Sequence, residues 1–334
     1  MRVRYRDAAI AVAAWREGAN VMGALRDREG LQANTPEIIE LAYDLQAGSY
    51  VRTHDERAGA VARVAAEYAA VLGPLLREGD RVLDVGAGEL TTLASVAAAL
   101  PPGRRDWYGC DLSWSRLHVG RRFVAERPAY AAALGQIACF TAEAARLPVA
   151  GAGADVVTTF HALEPNRGRE AELVAELVRA AARWVVMFEP SYEHAGAEDR
   201  ARMDALGYVR DLPGAIGKAG AELVAAKVIE HPMNPRNPTV AFIVRPPHAG
   251  TRAAGELWSC PVTRTPLRRV DHPEGGWLRS DESFLLYPIV GGIPLLTTRR
   301  GGVRLPERLS RDPSQPWPLD RALCSRGPGR SWPG

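Results

Sequence analysis

The 334-residue chain lacks most of the features that would place it outside the ordinary folded proteins. No apolar stretch approaches the roughly 18 residues needed to cross a bilayer, and the short apolar run in MRVRYRDAAIAVAAWREG is broken by Arg and Glu. Neither secretion nor membrane insertion is expected, so the sequence points to a cytoplasmic protein with no membrane partner. Cysteine is scarce. Cys110, Cys139, Cys260 and Cys324 stand apart without paired spacing, which suits reduced thiols and supplies no disulfide framework. Lysine is nearly absent, Lys218 and Lys227 being the only two, and the 42 basic side chains balance 39 acidic ones to a net charge of +3. So small an excess offers no broad phosphate track, and nucleic acid is disfavoured as a partner.

What is present is a chain that should fold. Its composition is 46% hydrophobic and 24% charged, its mean hydropathy is −0.17, and its length suits one large domain plus a small one. Residues 1–75 read as a helical cap, with apolar positions at helical spacing such as Ala60, Val61, Val64, Ala65, Tyr68 and Val71. Within it, LAYDLQAGSY is interrupted by Gly48, around which Tyr43, Asp44, Gln46 and Tyr50 form a polar and aromatic set.

From 76 to 250 the pattern changes to short β-rich runs separated by amphipathic helical stretches. The runs are RVLDVG (81–86), DWYGCD (106–111), QIACFT (136–141), ADVVTTF (154–160), RWVVMFEP (183–190), VAAKVIEH (224–231) and TVAFIVR (239–245). This alternation predicts an α/β fold, a doubly wound and mainly parallel seven-stranded sheet. The last two runs are joined by PMNPRNP, which reads as a rigid hairpin connection because Asn-Pro pairs initiate turns. Residues 255–298 predict a small β unit with a turn at PEGG (273–276). Residues 299–334 hold six prolines and eight arginines against three acids and predict a disordered tail.

The chemically informative residues cluster where the sheet begins. RVLDVGAGELTTL places Asp84, Gly86 and Gly88 between a buried strand and a helix, where glycine lets backbone approach a ligand and the helix start offers free N–H groups. The third glycine of the dinucleotide fingerprint is absent, Thr91 standing in its place, which disfavours nicotinamide and flavin cofactors. About twenty residues beyond the glycines the next strand ends in Asp111, where a carboxylate can accept both hydroxyls of a ribose. An adenosyl ligand is therefore supported.

Over roughly residues 40–250 the sequence resembles the class I S-adenosylmethionine-dependent methyltransferases. The resemblance implies a Rossmann-like fold. It also places Asp84, Gly86 and Gly88 around the methionine part of the cofactor, and makes Asp111 the ribose-binding acid. TAEAARLPV (141–149) matches the family's third-strand segment and implies that Glu143 and Ala144 lie beside the adenine, with Leu112 and Phe160 also against the cofactor. Tyr43, Gln46 and Tyr50 match the position of the family's N-terminal lid, though helix packing would explain them equally. Leu90 stands where the family often has a closing glycine.

The resemblance also places the methyl group beside TTFHALEPN (158–166). His161 is the first candidate base there and Glu164 the second, against the alternatives of a hydrogen-bonded scaffold histidine and a helix-capping carboxylate. Glu189, Tyr192 and His194, after the fifth strand, are a candidate second substrate wall, and Tyr192 is included among the catalytic candidates.

CPVTRTPL followed by FLLYPIVGGIPLL resembles the zinc-ribbon-like methyltransferase-activator family, but of the metal ligands only Cys260 remains. Thr263 takes the second ligand position, and the later positions near Ser280 and Ser283 carry hydroxyls. One thiol cannot build a four-ligand zinc site. The unit is expected to be metal-free and held by apolar residues such as Trp258, Leu286, Tyr287 and Ile293.

Three functions follow from these readings. The first is a methyltransferase acting on a small-molecule substrate with S-adenosylmethionine as cofactor. The second is an enzyme of the same fold that attacks another sulfonium carbon and releases methylthioadenosine. The third is a non-catalytic binding or partner protein. A homodimer is compatible with aromatic residues exposed on the cap.

Overall fold

The computed structural model describes residues 5–272 and 275–298. The predicted tail at 299–334 and Cys324 lie outside the described residues, as do Pro273 and Glu274 of the predicted PEGG turn.

The cap begins with α1 (Tyr5–Arg16), α2 (Val21–Glu29) and α3 (Pro36–Gln46). Local chemistry sets their starts. The Asn20 side chain accepts the Gly23 N–H, and Thr35 accepts the Ile38 N–H with Pro36 in the first turn. Ala11, Ala14, Val21, Leu25, Ile38 and Ala42 close a small core among these three helices. Gly48 then breaks the helical path at φ +96°. The chain resumes as α4 (Ser49–Glu56) and α5 (Ala58–Leu72), followed by a 3₁₀ turn at Gly73–Leu75.

The alternating region follows: β1 (Arg81–Val85), α6 (Thr91–Ala99), β2 (Asp106–Asp111), α7 (Trp114–Ala125), α8 (Pro128–Leu134), β3 (Ala138–Thr141), β4 (Ala154–Phe160), α9 (Glu170–Ala180) and β5 (Ala181–Pro190). After α10 (Ala197–Leu206) and α11 (Leu212–Lys218) come β6 (Glu222–Val228) and β7 (Thr239–Arg245). The strands form one seven-stranded sheet in the order β3-β2-β1-β4-β5-β7-β6. Its first five strands are mutually parallel, and β7 runs antiparallel to both its neighbours. This is the doubly wound architecture expected from the alternation. The inner strands are apolar on both faces because helices cover both sides, leaving Val82, Leu83, Val156, Val157, Val185 and Val186 fully buried.

Strand order reverses between β1 and β4, where successive crossovers leave the sheet in opposite directions and a crevice opens at the carboxyl ends. The two bordering loops touch. A Cβ on Gly86, at φ +79°, would stand 2.3 Å from the Ala162 Cβ, so only glycine fits there. Leu90 adopts φ +58°, the conformation for which glycine is favoured, and is fully buried. The left-handed backbone costs a residue with a Cβ about 1–2 kcal/mol, and burying a leucine side chain returns about 1.5–3 kcal/mol. Burial thus offsets the backbone strain at this position.

The C-terminal unit is a second sheet, β8 (Leu267–His272), β9 (Gly275–Ser280), β10 (Leu286–Val290) and β11 (Ile293–Pro294), in the order β11-β10-β9-β8. It shares a core with the large sheet. Leu257, Cys260, Leu278, Tyr287 and Leu296 belong to one buried cluster with Phe140, Leu147 and Val149. The Leu296 N–H reaches the Thr141 carbonyl at 3.1 Å, so the segment after β11 continues the large sheet beyond its edge strand β3.

Within this unit Cys260, Thr263, Ser280 and Ser283 converge. The Cys260 Sγ lies 3.5 Å from the Ser283 hydroxyl and 3.3 Å from the Tyr287 hydroxyl, and the Thr263 and Ser280 hydroxyls are 3.5 Å apart. Burial alone would raise the thiol's pKa, but hydrogen bonds from Ser283, Thr263 and Tyr287 outweigh it and bring the value down to about 6. Among the described residues no helix is long and apolar enough to cross a membrane.

Candidate active site

A cavity of about 440 Å³ lies at the carboxyl end of the sheet, roofed by α3, α4 and α5. Its size is that of a small-ligand site. Asp84, Gly86, Asp111, Leu112, Glu143, Ala144, Phe160, His161, Glu164, Tyr43 and Tyr50 all line it. Of the predicted site residues, Gly88 lies just behind the wall and Tyr192 lies away from it.

The inner end is built on β1 and β2. Asp84 is 2% exposed and accepts the Thr158 hydroxyl at 3.0 Å. Burial pushes its carboxyl well above the ordinary range, with the charges of Asp111 and Glu189 adding to the rise and the Thr158 bond opposing it. Asp111 is also buried. One of its oxygens accepts the Gly88 N–H at 2.9 Å and the other the Ser113 N–H at 2.8 Å. A carboxylate has about four acceptor sites, so each oxygen keeps one for a ligand. Ser113 accepts the Arg116 N–H at the start of α7 and donates its hydroxyl to Asp44 of the cap at 2.5 Å. Glu143 is held by Arg169 at 3.0 Å. Phe160 stacks on Tyr68 and Phe188, at centroid distances of 5.4 and 5.0 Å, in a three-ring cluster whose other two members are 4.3 Å apart.

The roof is tied to the floor by Glu89, whose two oxygens accept the Gly48 N–H at 3.0 Å and the Val51 N–H at 2.8 Å. These are unpaired donors at the start of α4. Tyr43 and Tyr50 pack their rings against the Arg116 guanidinium, at 4.7 and 4.4 Å from the centroids. Gln46 is not part of the cavity wall. Arg116 and Glu89 are site residues that the sequence reading missed. The available signal was an acid inside the otherwise apolar turn GAGELTTL and an arginine three residues after the helix-capping Ser113.

The outer end is built on the segment after β4. His161 takes φ +55°. Its Nδ1 lies 2.6 Å from Glu164 Oε1, and its Nε2 lies 2.9 Å from the Thr239 hydroxyl oxygen. That hydroxyl spends its one proton on the Asn237 carbonyl at 3.0 Å, so Nε2 must be the donor to it. With a carboxylate facing Nδ1, both ring nitrogens have acceptors, which is the pattern of an imidazolium. Burial opposes the charge, but the hydrogen bond and charge of Glu164 and the charge of Glu189 prevail, and the pKa is raised above its ordinary value. Glu189 lies beneath, accepting the Ala162 and Leu163 N–H groups at 3.0 and 3.2 Å, and burial lifts its carboxyl to about 7.

Tyr208, Met233, Asn234 and Asn237 complete this end of the cavity. The Asn-Pro connection, expected only to turn the chain, thus also supplies wall residues. The second wall proposed after β5 forms only in part. Glu189 supports the β4 loop from below. Tyr192 points outward, donating to Asp204 at 3.3 Å with the Arg210 guanidinium 4.0 Å from its ring centre. His194 is exposed and bonded to Ser191 at 2.8 Å. The Ser191 N–H bonds the Pro238 carbonyl at 2.8 Å, extending the pairing of β5 with β7 by one residue, and the side chains of Tyr192 and His194 beyond it are not among those lining the cavity.

No protein-family model matches the sequence, and no curated protein does so either. Solved structures share its chain path. One is a chain of the complex containing the Haloferax volcanii Trm112 methyltransferase activator (TM-score 0.47, 16% identity, covering 62% of this chain and 98% of that one). A second is the mitomycin 7-O-methyltransferase MmcR (TM-score 0.48, 15% identity, 72% and 68%). A third is the magnesium protoporphyrin IX methyltransferase ChlM from Synechocystis with bound SAH (TM-score 0.43, 16% identity, 56% and 83%).

Proposed function

We propose that the protein is an S-adenosylmethionine-dependent methyltransferase acting on a small-molecule substrate. The observation that carries this reading is Asp111, a buried carboxylate ending β2, which keeps acceptor capacity on both oxygens and faces a cavity beside the strand-order reversal. That placement suits the two adjacent hydroxyls of a ribose. The surrounding residues fit the rest of such a cofactor: the turn at Gly86 borders the cavity where its amino-acid arm would lie, and Leu112, Glu143 and Ala144 form a mixed polar and apolar slot for its base.

When bound, the cofactor supplies a methyl group activated by a sulfonium charge. The protein's task is then mainly to hold two partners in line, an effect that reaches about 7–11 kcal/mol in well-aligned cases. The acceptor end joins an apolar wall (Val61, Val64, Tyr68, Phe160, Met233) to a polar one (His161, Glu164, Tyr208, Asn237). An acceptor with an apolar body and a hydroxyl or amine at one end fits this division.

His161, bonded through both nitrogens, serves as a fixed positive charge beside the acceptor in place of the base expected from the sequence. Its neighbour Glu164 is placed to take the proton that the acceptor sheds. The left-handed backbone at His161 and the Glu189 bonds beneath it keep both groups turned toward the cavity.

Incubation with S-adenosylmethionine and a metabolite extract, followed by mass spectrometry, tests the reading. S-adenosylhomocysteine plus a methylated product is expected. Methylthioadenosine as the product would establish attack at another sulfonium carbon. Absence of S-adenosylmethionine binding by calorimetry would overturn both and leave a non-catalytic partner protein.

A further inference from the structure

Arg116 brings a positive charge to the cavity that the chain itself does not satisfy. The residue is 7% exposed and part of the cavity wall, and its Nε is buried without a hydrogen-bond partner. The one carboxylate within 4.0 Å among the described residues is that of Glu89, whose Oε1 lies 3.9 Å from Nε, beyond hydrogen-bonding reach. Neither adjacent carboxylate is free to move closer. Glu89 is bound to the Gly48 and Val51 N–H groups, and Asp111 to those of Gly88 and Ser113. A buried guanidinium without acceptors is costly, and a ligand that supplied them would remove that cost.

The geometry also states what the ligand must present. Tyr43 and Tyr50 pack their rings on the guanidinium and fix its plane, leaving the N–H edge as the binding surface. That planar fork matches a carboxylate. Its position follows the path of the glycine turn, since a Cβ on Gly88 would lie 2.4 Å from Arg116 Nη2. Two carboxylates, Glu89 and Asp111, stand close by, so a dianion such as a phosphate is repelled, whereas a zwitterion carrying one carboxylate and one ammonium suits the mixed charge.

Resting on the reading that the cavity takes S-adenosylmethionine, we propose that Arg116 binds the carboxylate of the cofactor's amino-acid arm. The roof tyrosines then act through Arg116, holding its edge toward the arm while Glu89 holds the roof to the glycine turn.

The test compares ligands that differ only in that arm. Calorimetry on the full chain is done with S-adenosylhomocysteine, its decarboxylated form S-adenosyl-3-thiopropylamine, and methylthioadenosine, which lacks the arm altogether. Wild-type protein is expected to bind S-adenosylhomocysteine at least about tenfold more tightly than either of the others, the worth of one charge-assisted bidentate contact. Arg116→Met should erase that preference while leaving methylthioadenosine affinity within about twofold, and Arg116→Lys should restore part of it. Wild-type protein that binds the three ligands alike overturns the assignment without reference to any variant. So does an Arg116→Met variant that still prefers S-adenosylhomocysteine, or one that weakens all three equally. Wild-type protein that binds none of them removes the cofactor reading itself, an outcome separate from these.

Discussion

Nδ1 of His161 lies 2.6 Å from Oε1 of Glu164, with the opposite ring nitrogen donating to Thr239. The pair therefore behaves as an ion pair sharing a half-buried wall of the cavity. Because the imidazole's pKa is raised in the folded state, its stabilising effect is complete below the unfolded value of about 6.5 and is lost as pH rises through the folded one. Glu164→Gln should lower the His161 titration midpoint, as read from the ring Hε1 shift by NMR. A wild-type midpoint at or below 6.5 would contradict the doubly donating assignment.

Glu189 predicts a pH dependence of stability that its own substitution removes. Its carboxyl is raised by burial from 4.5 to about 7, so the native state holds a proton that the unfolded chain has released. Stability should fall by up to about 1.4 kcal/mol per pH unit between those values and level off above them. Glu189→Gln leaves one of the two N–H groups of Ala162 and Leu163 without its acceptor, a loss of about 1–3 kcal/mol. That penalty should shrink as pH rises from 5 to 8, where the wild type carries a buried charge. Urea unfolding at the two pH values reads the difference, and a penalty that grows with pH would refute the sign.

Asp111→Asn should weaken S-adenosylhomocysteine binding by roughly 30-fold or more, since a charged acceptor becomes a mixed donor and acceptor facing two N–H groups and a diol. Calorimetry measures the affinity, and a thermal melt separates it from any loosening of the Gly88 turn. Unchanged affinity would remove the ribose assignment.

Leu296→Ala should destabilise the whole molecule by about 2–5 kcal/mol, because Leu296 is fully buried in the core that also holds Phe140, Leu147 and Val149 of the large domain. One cooperative transition shifted to lower temperature is expected by calorimetry. Two transitions, only the smaller displaced, would show the C-terminal unit to be independent.

The convergent Cys260, Thr263, Ser280 and Ser283 bond one another directly or through Tyr287, and one thiol with three hydroxyls does not make a tetrahedral zinc site. Elemental analysis of purified protein is expected to show no stoichiometric zinc, and a chelator should leave Tm unchanged. A chelator-induced fall in Tm would reverse this.

Much of the site was legible from type and position along the chain. Asp84, Gly86 and Asp111 sit where a strand meets a turn, and that local grammar survives folding. Arg116, Glu89 and Asn237 were not legible. An arginine on an amphipathic helix reads as surface, and an asparagine before proline reads as a turn, until other elements are laid against them. Tyr192 shows the converse. Its place just after a strand suggested the cavity, but its hydroxyl is bonded to Asp204 and its ring lies against the Arg210 guanidinium instead.

Periodicity by itself determined the doubly wound sheet and its helical roof, because a strand buried on both faces must be apolar throughout and a helix must show its stripe. The glycines of the turn after β1 were read directly, whereas the approach of Ala162 that forbids a Cβ at Gly86 belongs to the fold. The tertiary structure alone decided that Glu89 holds the roof down, that His161 has an acceptor on each nitrogen and that Arg116 has none. Such pairings join residues up to 78 positions apart, as His161 and Thr239 are, and a hydrogen bond across that span exists only after the strands between them have found their order.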